Sequence, residues 1–194
     1  MELNEYYWTS RYRDNQLGWD IGYPAPSITQ FMDQVEDKEL NILIPGCGNA
    51  YEAAYLWKNG FHNVYLLDFS AIPLRKFAEE HPDFPEDQLL NIDFFKVKGK
   101  FDFIIEQTFF CALHPELRTE YVEKMKDLLK PSGHLIGLLF NIPLNDDRPP
   151  FGGNKDLYEK LFTDYFEIQK MATSYNSIPE RQGTELFIKM KPKN

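Results

Sequence analysis

Short apolar runs alternate with amphipathic stretches along most of the 194 residues, and this alternation restricts the possible folds more than any other feature. Strand–helix alternation predicts a doubly wound, Rossmann-like α/β sheet with right-handed crossovers and helices on both faces. The chain shows no internal repeat and no linker, so we expect a single domain over residues 1–194. The apolar runs begin at Ile42, Val64, Leu89, Phe101 and Leu135.

Helical signals fill the stretches between the runs. Apolar residues within 28–35 recur at i, i+3, i+4 and i+7, the spacing of a helix with one buried stripe. Ser70 is a candidate N-cap, and Pro115 suits the first turn of a helix. Two later segments, 166–168 and 186–190, alternate apolar and polar residues, which predicts strands near an edge of the sheet.

The first apolar run ends in a glycine turn, Pro45-Gly46-Cys47-Gly48-Asn49. Glycine lets the backbone pass close to a ligand, and ligands of such sheets bind at the carboxyl ends of the strands. Asp68 closes the second run at about the spacing where a carboxylate accepts hydrogen bonds from ribose hydroxyls. These features predict an adenosine-containing ligand. The alternative is a purely structural turn, with Asp68 as a helix-entry residue.

The turn lacks the features of a phosphate site. A dinucleotide fingerprint starting at Gly46 requires glycine at position 51, where this chain has Tyr51. The turn also contains no Lys or Arg to meet phosphate charge. We therefore favour a nucleoside ligand without phosphates, for which S-adenosylmethionine fits. A nicotinamide-dependent oxidoreductase is the less favoured alternative.

The first 26 residues form an arm rich in aromatic side chains, among charges and prolines that argue against a regular strand or long helix. Aromatic faces stabilise cations by roughly 0.5–2 kcal/mol, so an arm folded over a sulfonium would hold and shield it. The alternative is that the rings only anchor the terminal segment on the core. The aromatic residues of the arm are Tyr6, Tyr7, Trp8, Tyr12, Trp19 and Tyr23.

Charge and composition exclude several functions. The 21 Lys and Arg against 30 Asp and Glu give a formal charge of −9, which argues against nucleic acid or an anionic membrane as partner. No apolar run approaches the roughly 20 residues of a membrane span, and the first residues do not resemble a secretory signal. Cys47 and Cys111 are too far apart in sequence for a metal pair, and we expect both to be buried in a reduced, cytoplasmic protein.

Histidines offer no metal or catalytic pattern. The four of them show no ligand spacing, and we expect no metal site. A soft anionic nucleophile displaces a methyl group without a proton transfer, so alignment and a dry pocket suffice and no catalytic side chain is predicted.

Several motifs together resemble one family. Gly18-Trp19-Asp20-Ile21-Gly22, the glycine turn, Leu67-Asp68-Phe69-Ser70 and Lys130-Pro131-Ser132-Gly133 look like the thiopurine methyltransferase group of class I methyltransferases. Phe109-Phe110-Cys111-Ala112 and Ile178 to Gly183 are similar to motifs of the plant-type halide and thiol methyltransferases. The resemblance runs from about Trp8 to the last strand. The arm and the Phe-Phe-Cys-Ala segment are its specific parts.

This resemblance implies a seven-stranded sheet with the last strand antiparallel, and S-adenosylmethionine as methyl donor with S-adenosylhomocysteine as product. It also implies a small soft acceptor, such as a thiol, a thiopurine-like sulfur, bisulfide, halide or a selenium or tellurium species. We expect a monomer. The cofactor contacts predicted are Trp8, Tyr12, Trp19, Gly46, Gly48, Asp68, Phe69, Asp93, Phe94 and Gln107. The residues predicted to frame the acceptor are Phe109, Phe110, Arg148 and Phe151.

The chain departs from the halide and thiol methyltransferases at three places. Those proteins commonly have tryptophan at the position of Tyr12, tyrosine at that of Gln107, and Gly-Gly where Asp147-Arg148 stands here. These positions are expected near the methyl and acceptor end, so the acceptor is left open. The alternative they allow is a non-catalytic S-adenosylmethionine-binding protein with the same fold.

Overall fold

Seven strands form one mixed sheet in the computed structural model, which describes residues 2–145 and 147–193. The predicted domain bounds, Met1 and Asn194, lie outside the described residues. The strands are β1 (Ile42–Pro45), β2 (Val64–Asp68), β3 (Leu89–Asn91), β4 (Phe101–Gln107), β5 (Leu129–Phe140), β6 (Phe166–Thr173) and β7 (Glu185–Pro192).

Strand order across the sheet is β3-β2-β1-β4-β5-β7-β6. The pairs among β1 to β5 are parallel, and β7 runs antiparallel to both of its neighbours. This topology confirms the predicted α/β sheet of seven strands with the last one antiparallel. It also confirms that the two alternating segments lie near an edge, because β6 is the edge strand and β7 is next to it.

Two apolar cores cover the two faces of the sheet. Successive side chains of a strand point to opposite faces, so Leu43 and Ile104 enter one core while Ile44 and Ile105 enter the other. Helices α2, α3 and α4 cover the face of Ile44, and α5 and α6 cover the opposite face. The helices are α1 (Glu5–Arg13), α2 (Pro26–Met32), α3 (Tyr51–Lys58), α4 (Ala71–Glu80), α5 (Arg118–Leu128) and α6 (Lys155–Phe162).

Helix boundaries follow local signals with small corrections. The side chain of Ser70 caps α4 as predicted, accepting a hydrogen bond from the Ile72 amide at 3.3 Å. Pro115 starts a short 3₁₀ turn, and α5 begins only at Arg118. That helix ends at Leu128, ahead of the predicted stop at Lys130, because the next residue already pairs with β4. Throughout the described ranges, every helix is too short or too polar to cross a bilayer.

The aromatic arm includes α1, a regular helix of nine residues that sequence composition did not predict. Asn4 starts it by accepting a hydrogen bond from the Tyr7 amide at 3.1 Å. None of its residues is buried. The helix contacts α4.

Candidate functional site

The glycine turn after β1 lies at the carboxyl end of the central strands. Gly46 and Gly48 have φ values of +59° and +54°, a region that favours glycine. A Cβ on Gly46 would collide with the ring of Phe109. A Cβ on Gly48 would lie 3.4 Å from the Tyr12 hydroxyl oxygen and 3.9 Å from Trp19 Nε1. Glycine at position 48 therefore leaves room between the turn and the aromatic arm.

Asp68, the last residue of β2, lies beside this turn and is 6% exposed. Its Oδ2 accepts a hydrogen bond from the Gly48 amide at 3.1 Å, and its Oδ1 accepts one from the Ser70 amide at 2.8 Å. Burial raises the pKa of this carboxyl to about 6. A carboxylate has about four acceptor positions, so Asp68 retains acceptor capacity for ligand hydroxyls.

Three rings of the arm gather above the turn. The Trp8 and Trp19 rings meet edge to face with centroids 5.6 Å apart, and the Tyr12 and Trp19 rings do so at 5.8 Å. Burial, with Asp68 as the next contribution, raises the pKa of Tyr12, so its hydroxyl stays neutral. The structure thus brings together three arm residues and a turn that are widely separated in sequence.

Polar contacts tie the arm to the turn, and sequence analysis missed them. Asp20 accepts hydrogen bonds from the Asn49 side chain and, at 3.2 Å, from the Tyr51 hydroxyl. The hydroxyl of Thr9 donates to the Ser70 hydroxyl at 3.0 Å. Tyr51, which argued against a dinucleotide fingerprint, therefore has a second role as an anchor for the arm.

Two more anchors come from distant parts of the chain. Arg181, in the segment between β6 and β7, donates from Nη2 to the Trp19 carbonyl at 2.7 Å. Glu52 Oε1 on α3 accepts from the Ala25 amide at 2.9 Å. Both side chains pair with backbone groups of the arm. Such long-range pairings leave no signature in a local sequence pattern.

These elements border an open cleft. It is lined by arm residues including Trp19, by the turn, and by Gln107 and Thr108 after β4. The charged side chains lining it within the described residues are the carboxylates Asp20 and Glu52, with no Lys or Arg. Such a lining favours a cation over a phosphate.

Six predicted cofactor contacts fall outside this lining: Trp8, Tyr12, Asp68, Phe69, Asp93 and Phe94. Asp93 follows β3, where it accepts from the Phe95 amide at 3.0 Å and pairs with Lys96 at 3.8 Å. Phe94 is 3% exposed and packs in the core below. Phe69 follows Asp68 directly and is half-buried. A cofactor role for these residues stays a prediction.

The residues predicted to frame the acceptor lie in three different environments. The half-buried Phe109 covers Gly46. Phe110 and Phe151, both 1% exposed, lie in the buried interior and not on the cleft lining, and an acceptor role for them stays a prediction. Arg148 lies exposed in the loop between β5 and α6.

Arg118 holds Phe110 and the loop of Phe151 together in the buried interior. Its guanidinium lies 4.6 Å from the centre of the Phe110 ring and donates to the carbonyls of Phe151, at 3.2 Å, and Gly152, at 2.8 Å. The side chain therefore fixes the loop that contains Phe151 and Gly152.

Glu106, at the end of β4, is a fully buried carboxylate that sequence analysis passed over. Its Oε1 accepts from the Phe109 and Phe110 amides at 2.8 and 2.9 Å, and its Oε2 accepts from the Tyr121 hydroxyl at 2.6 Å. Burial raises its pKa to about 7. These bonds fix the loop that holds Thr108 at φ +58°. A lone acidic residue inside an apolar run was the available signal.

The cysteines and histidines are placed as structural residues. Cys47 and Cys111 are free and buried, and burial raises the pKa of both thiols, which opposes thiolate chemistry. His114 accepts from the Glu116 amide at 3.4 Å and starts the turn before α5. Among the described residues there is no cluster of three His, Cys, Asp or Glu side chains that would hold a metal ion.

A seven-stranded sheet with this strand order, glycines at positive φ in the turn after β1, a buried carboxylate at the end of β2 and a cleft lined without Lys or Arg among the described residues fit S-adenosylmethionine. The fold and the site define a class I S-adenosylmethionine-dependent methyltransferase. The sequence model of the thiopurine S-methyltransferase (TPMT) family matches residues 3–190, and the chain belongs to that family.

Individual relatives agree with this assignment. The chain is 30% identical to a probable thiol methyltransferase 2 of Arabidopsis thaliana, over 92% of this chain and 81% of that protein. It is 29% identical to thiocyanate methyltransferase 1 of Brassica oleracea, over 96% and 85%. The crystal structure of Burkholderia thailandensis 1,6-didemethyltoxoflavin-N1-methyltransferase with S-adenosylhomocysteine superimposes with a TM-score of 0.78 at 14% identity, over 98% of this chain and 87% of that one. This last similarity concerns the fold.

Proposed function

We propose that this enzyme transfers a methyl group from S-adenosylmethionine to a small, soft nucleophile, in the first place a thiol sulfur. The observation that carries the proposal is the cleft between the glycine turn and the arm, whose lining has no basic side chain and whose turn is hydrogen-bonded to Asp68 through the Gly48 amide. The TPMT family and the thiol and thiocyanate methyltransferase relatives support sulfur as the acceptor atom.

Each part of the cleft has a role toward the cofactor in this proposal. Asp68 accepts from the ribose hydroxyls, since its buried carboxylate has acceptor positions to spare. Gly48 leaves space for the ligand between the turn and the arm, and Gly46 makes room for the Phe109 ring beside it. The carboxylates of Asp20 and Glu52 supply negative potential toward a cationic sulfur. Phe69, Asp93 and Phe94, at the ends of β2 and β3, are proposed to border the adenine.

Trp8, Tyr12 and Trp19 are proposed to cover the sulfonium. Their rings form an aromatic group above the turn, and aromatic faces attract cations more strongly where water is excluded. In this proposal residues 1–26 are a cover that belongs to the same single domain, and not a separate unit. The anchors at Asp20 and Arg181 support this role, because they hold the cover closed over the cleft.

Methyl transfer to a soft nucleophile requires no acid–base catalysis by a side chain. When bound, S-adenosylmethionine supplies a methyl group on a cationic sulfur. The acceptor's lone pair would take up this methyl group, and the sulfur of the cofactor would keep the electron pair of the broken carbon–sulfur bond. The chain contributes alignment, through Gln107 and Phe109 at the end of β4, and exclusion of water by the arm. Arg148, exposed in the neighbouring loop, is proposed to lie at the rim of the acceptor site.

Two measurements test the proposal. Calorimetric titration with S-adenosylmethionine and with NAD should show binding of the first only. Incubation with thiols, bisulfide, thiocyanate and iodide, assayed for S-adenosylhomocysteine and methylated product, should show turnover with sulfur acceptors. Binding without turnover on any acceptor would support the non-catalytic alternative, and preference for NAD would refute the proposed function.

We also propose that the enzyme acts as a monomer in the cytoplasm. Two free, buried cysteines suit a reducing compartment. Sedimentation equilibrium tests the first part, and a dimer at micromolar concentration would contradict it.

A further inference from the structure

Thr108, the first residue after β4, has a backbone conformation that threonine rarely adopts. Its φ is +58°, and a β-branched residue in this left-handed region is strained. Glycine would take the same conformation without that cost. Strained residues persist where the surrounding structure holds them, and they concentrate at functional sites. Thr108 fits this description, since it lines the cleft together with Gln107.

Glu106 supplies the restraint on this strained residue. The side chain is fully buried, and its Oε1 accepts hydrogen bonds from the Phe109 and Phe110 amides at 2.8 and 2.9 Å. These bonds close a ring across the two cleft residues, so the chain between Glu106 and Phe109 has little freedom to relax. The Tyr121 hydroxyl donates to Oε2 at 2.6 Å, which ties the carboxylate to α5. Hydrogen bonds to an ionised group are the stronger ones.

The restrained loop is also in contact with the glycine turn. The ring of Phe109 occupies the space that a Cβ on Gly46 would need. The Thr108 hydroxyl donates to the Gln107 carbonyl at 2.7 Å, and the Thr108 carbonyl accepts from the Cys111 thiol at 3.3 Å. Relaxation of the loop would therefore move the wall formed by Gln107 and Thr108 relative to the turn that lines the same cleft.

We propose that Glu106 is a positioning residue for methyl transfer, because it holds Thr108 in its strained conformation and so fixes the wall of the cleft that aligns the acceptor. This inference rests on the proposed function. Glu106 touches neither cofactor nor acceptor and transfers no proton; it acts through the loop after β4. Since most of the proposed cofactor contacts lie on the turn, on β2 and on the arm, loss of the restraint should lower the rate of methyl transfer more than the affinity for S-adenosylmethionine.

Thr108→Gly tests whether the strain has a use. Glycine removes the steric cost of the positive φ, so the midpoint of thermal unfolding should not fall. The loop becomes free to move, so kcat/KM for the acceptor should fall by about tenfold or more. The affinity for S-adenosylmethionine, measured by calorimetry, should stay close to that of the wild type. The acceptors assayed are 2-mercaptoethanol, bisulfide, thiocyanate and iodide, each with saturating S-adenosylmethionine.

Two variants of Glu106 test the hydrogen bonds themselves. Glu106→Gln keeps an oxygen for the two amides, and its NH₂ group can donate to the Tyr121 hydroxyl oxygen, so this variant should retain most of the wild-type kcat/KM. Glu106→Leu leaves both amides without their acceptor and should show the loss of activity of Thr108→Gly. Hydrogen exchange gives a readout without turnover: the Phe109 and Phe110 amides should be protected in the wild type and in Glu106→Gln, and should exchange faster in Glu106→Leu.

The matched control is Glu123→Leu. Glu123 also accepts a hydrogen bond from a tyrosine hydroxyl, that of Tyr165 at 2.7 Å. It lies on α5, two residues after Tyr121, and is not part of the cleft lining. This variant should keep the wild-type kcat/KM and the protection of both loop amides.

The outcomes separate the two proposals. A wild-type kcat/KM in Thr108→Gly overturns the role of Glu106 and leaves the methyltransferase proposal standing. An equal loss in Glu106→Gln and Glu106→Leu overturns it as well, and so does a parallel fall of unfolding temperature, cofactor affinity and rate in Thr108→Gly. If Glu106→Leu does not fold, Thr108→Gly and Glu106→Gln still decide. Failure of the wild type to methylate any of the four acceptors refutes the proposed function and this inference with it.

Discussion

At the scale of single residues, Asp68 combines burial with unused acceptor positions. Its two backbone hydrogen bonds orient the carboxylate, and burial sets its pKa near 6. The ionised form is the one that accepts from two hydroxyls, so the protonation state of this side chain and the affinity for the cofactor are linked.

Asp68→Ala should weaken S-adenosylmethionine binding by about 1–3 kcal/mol, because the ribose hydroxyls lose their acceptor. In the wild type the affinity should also fall as the pH drops through about 6, since protonation removes acceptor capacity, and the variant should lose this dependence. Calorimetry between pH 5 and pH 8 measures both effects.

Asp102→Ala is the control for this change. Asp102 also accepts from a backbone amide, that of Asn41 at 2.9 Å. It lies near the start of β4, at the end of the strand away from the cleft. An equal loss of affinity in both variants would show that Asp68 acts through the fold alone.

Trp19→Ala should weaken S-adenosylmethionine binding by on the order of 1–2 kcal/mol, since the ring that contacts both Trp8 and Tyr12 is lost. Trp57→Ala removes a half-buried tryptophan of α3 that packs on His62 and Phe84. Affinity and thermal unfolding are measured for both. If Trp19→Ala lowers only the unfolding temperature, the ring is an anchor and not a cofactor contact.

At the scale of elements, the turn after β1 and the loop after β4 are held by opposite means. The turn depends on missing side chains at Gly46 and Gly48, whereas the loop depends on one buried carboxylate, Glu106, with three donors. Each element brings a different wall to the cleft.

Gly48→Ala should cost about 1 kcal/mol of folding stability from its positive φ and, in addition, weaken S-adenosylmethionine binding. Gly183→Ala carries the same backbone penalty at φ +81° with open space around the new methyl group. Chemical denaturation of the two variants measures the cost of backbone strain. Calorimetry measures the separate effect on S-adenosylmethionine binding. Equal cofactor affinities in the two variants would contradict the role of the turn.

Glu106→Gln should reduce the dependence of stability on pH. The pKa of Glu106 is about 7 in the folded chain against an ordinary value of 4.5. Its stabilising contribution is therefore complete below pH 4.5 and is lost as the pH rises through 7. Relative to the variant, the wild type should lose on the order of 2–3 kcal/mol between pH 4.5 and pH 8, as measured by urea denaturation. Parallel curves for the two proteins would exclude this assignment.

Local patterns predicted the elements, and part of the site, for a physical reason. Apolar periodicity and capping act within a few residues, so β1, the turn and Ser70 were predictable. The hydrogen bond from Arg181 to the Trp19 carbonyl and the burial of Phe151 depend on residues far apart in sequence. No local pattern encodes such pairings, and they are the parts that sequence analysis missed or misplaced.

At the scale of the whole molecule, the arm and the sheet depend on each other unequally. Helix α1 buries no residue, so the cores on the two faces of the sheet stand without it. The cleft, in contrast, takes part of its wall from the arm residues Trp19, Asp20, Ile21 and Tyr23.

Removal of residues 2–13 should change the free energy of unfolding by no more than about 1–2 kcal/mol. It should abolish most of the rise in unfolding temperature that S-adenosylmethionine gives the full chain, because ligand stabilisation follows the affinity. Thermal scans with and without the cofactor measure this. A truncated chain with the full rise would refute the covering role.

The position of β7 has a consequence for biosynthesis. This strand is translated after β5 and β6, yet it lies between them and pairs with both. While the chain emerges from the ribosome, β5 therefore presents an unpaired edge on which another nascent polypeptide can add. Premature termination before Glu185 would leave that edge permanently open, so truncated translation products of this enzyme should aggregate and be degraded.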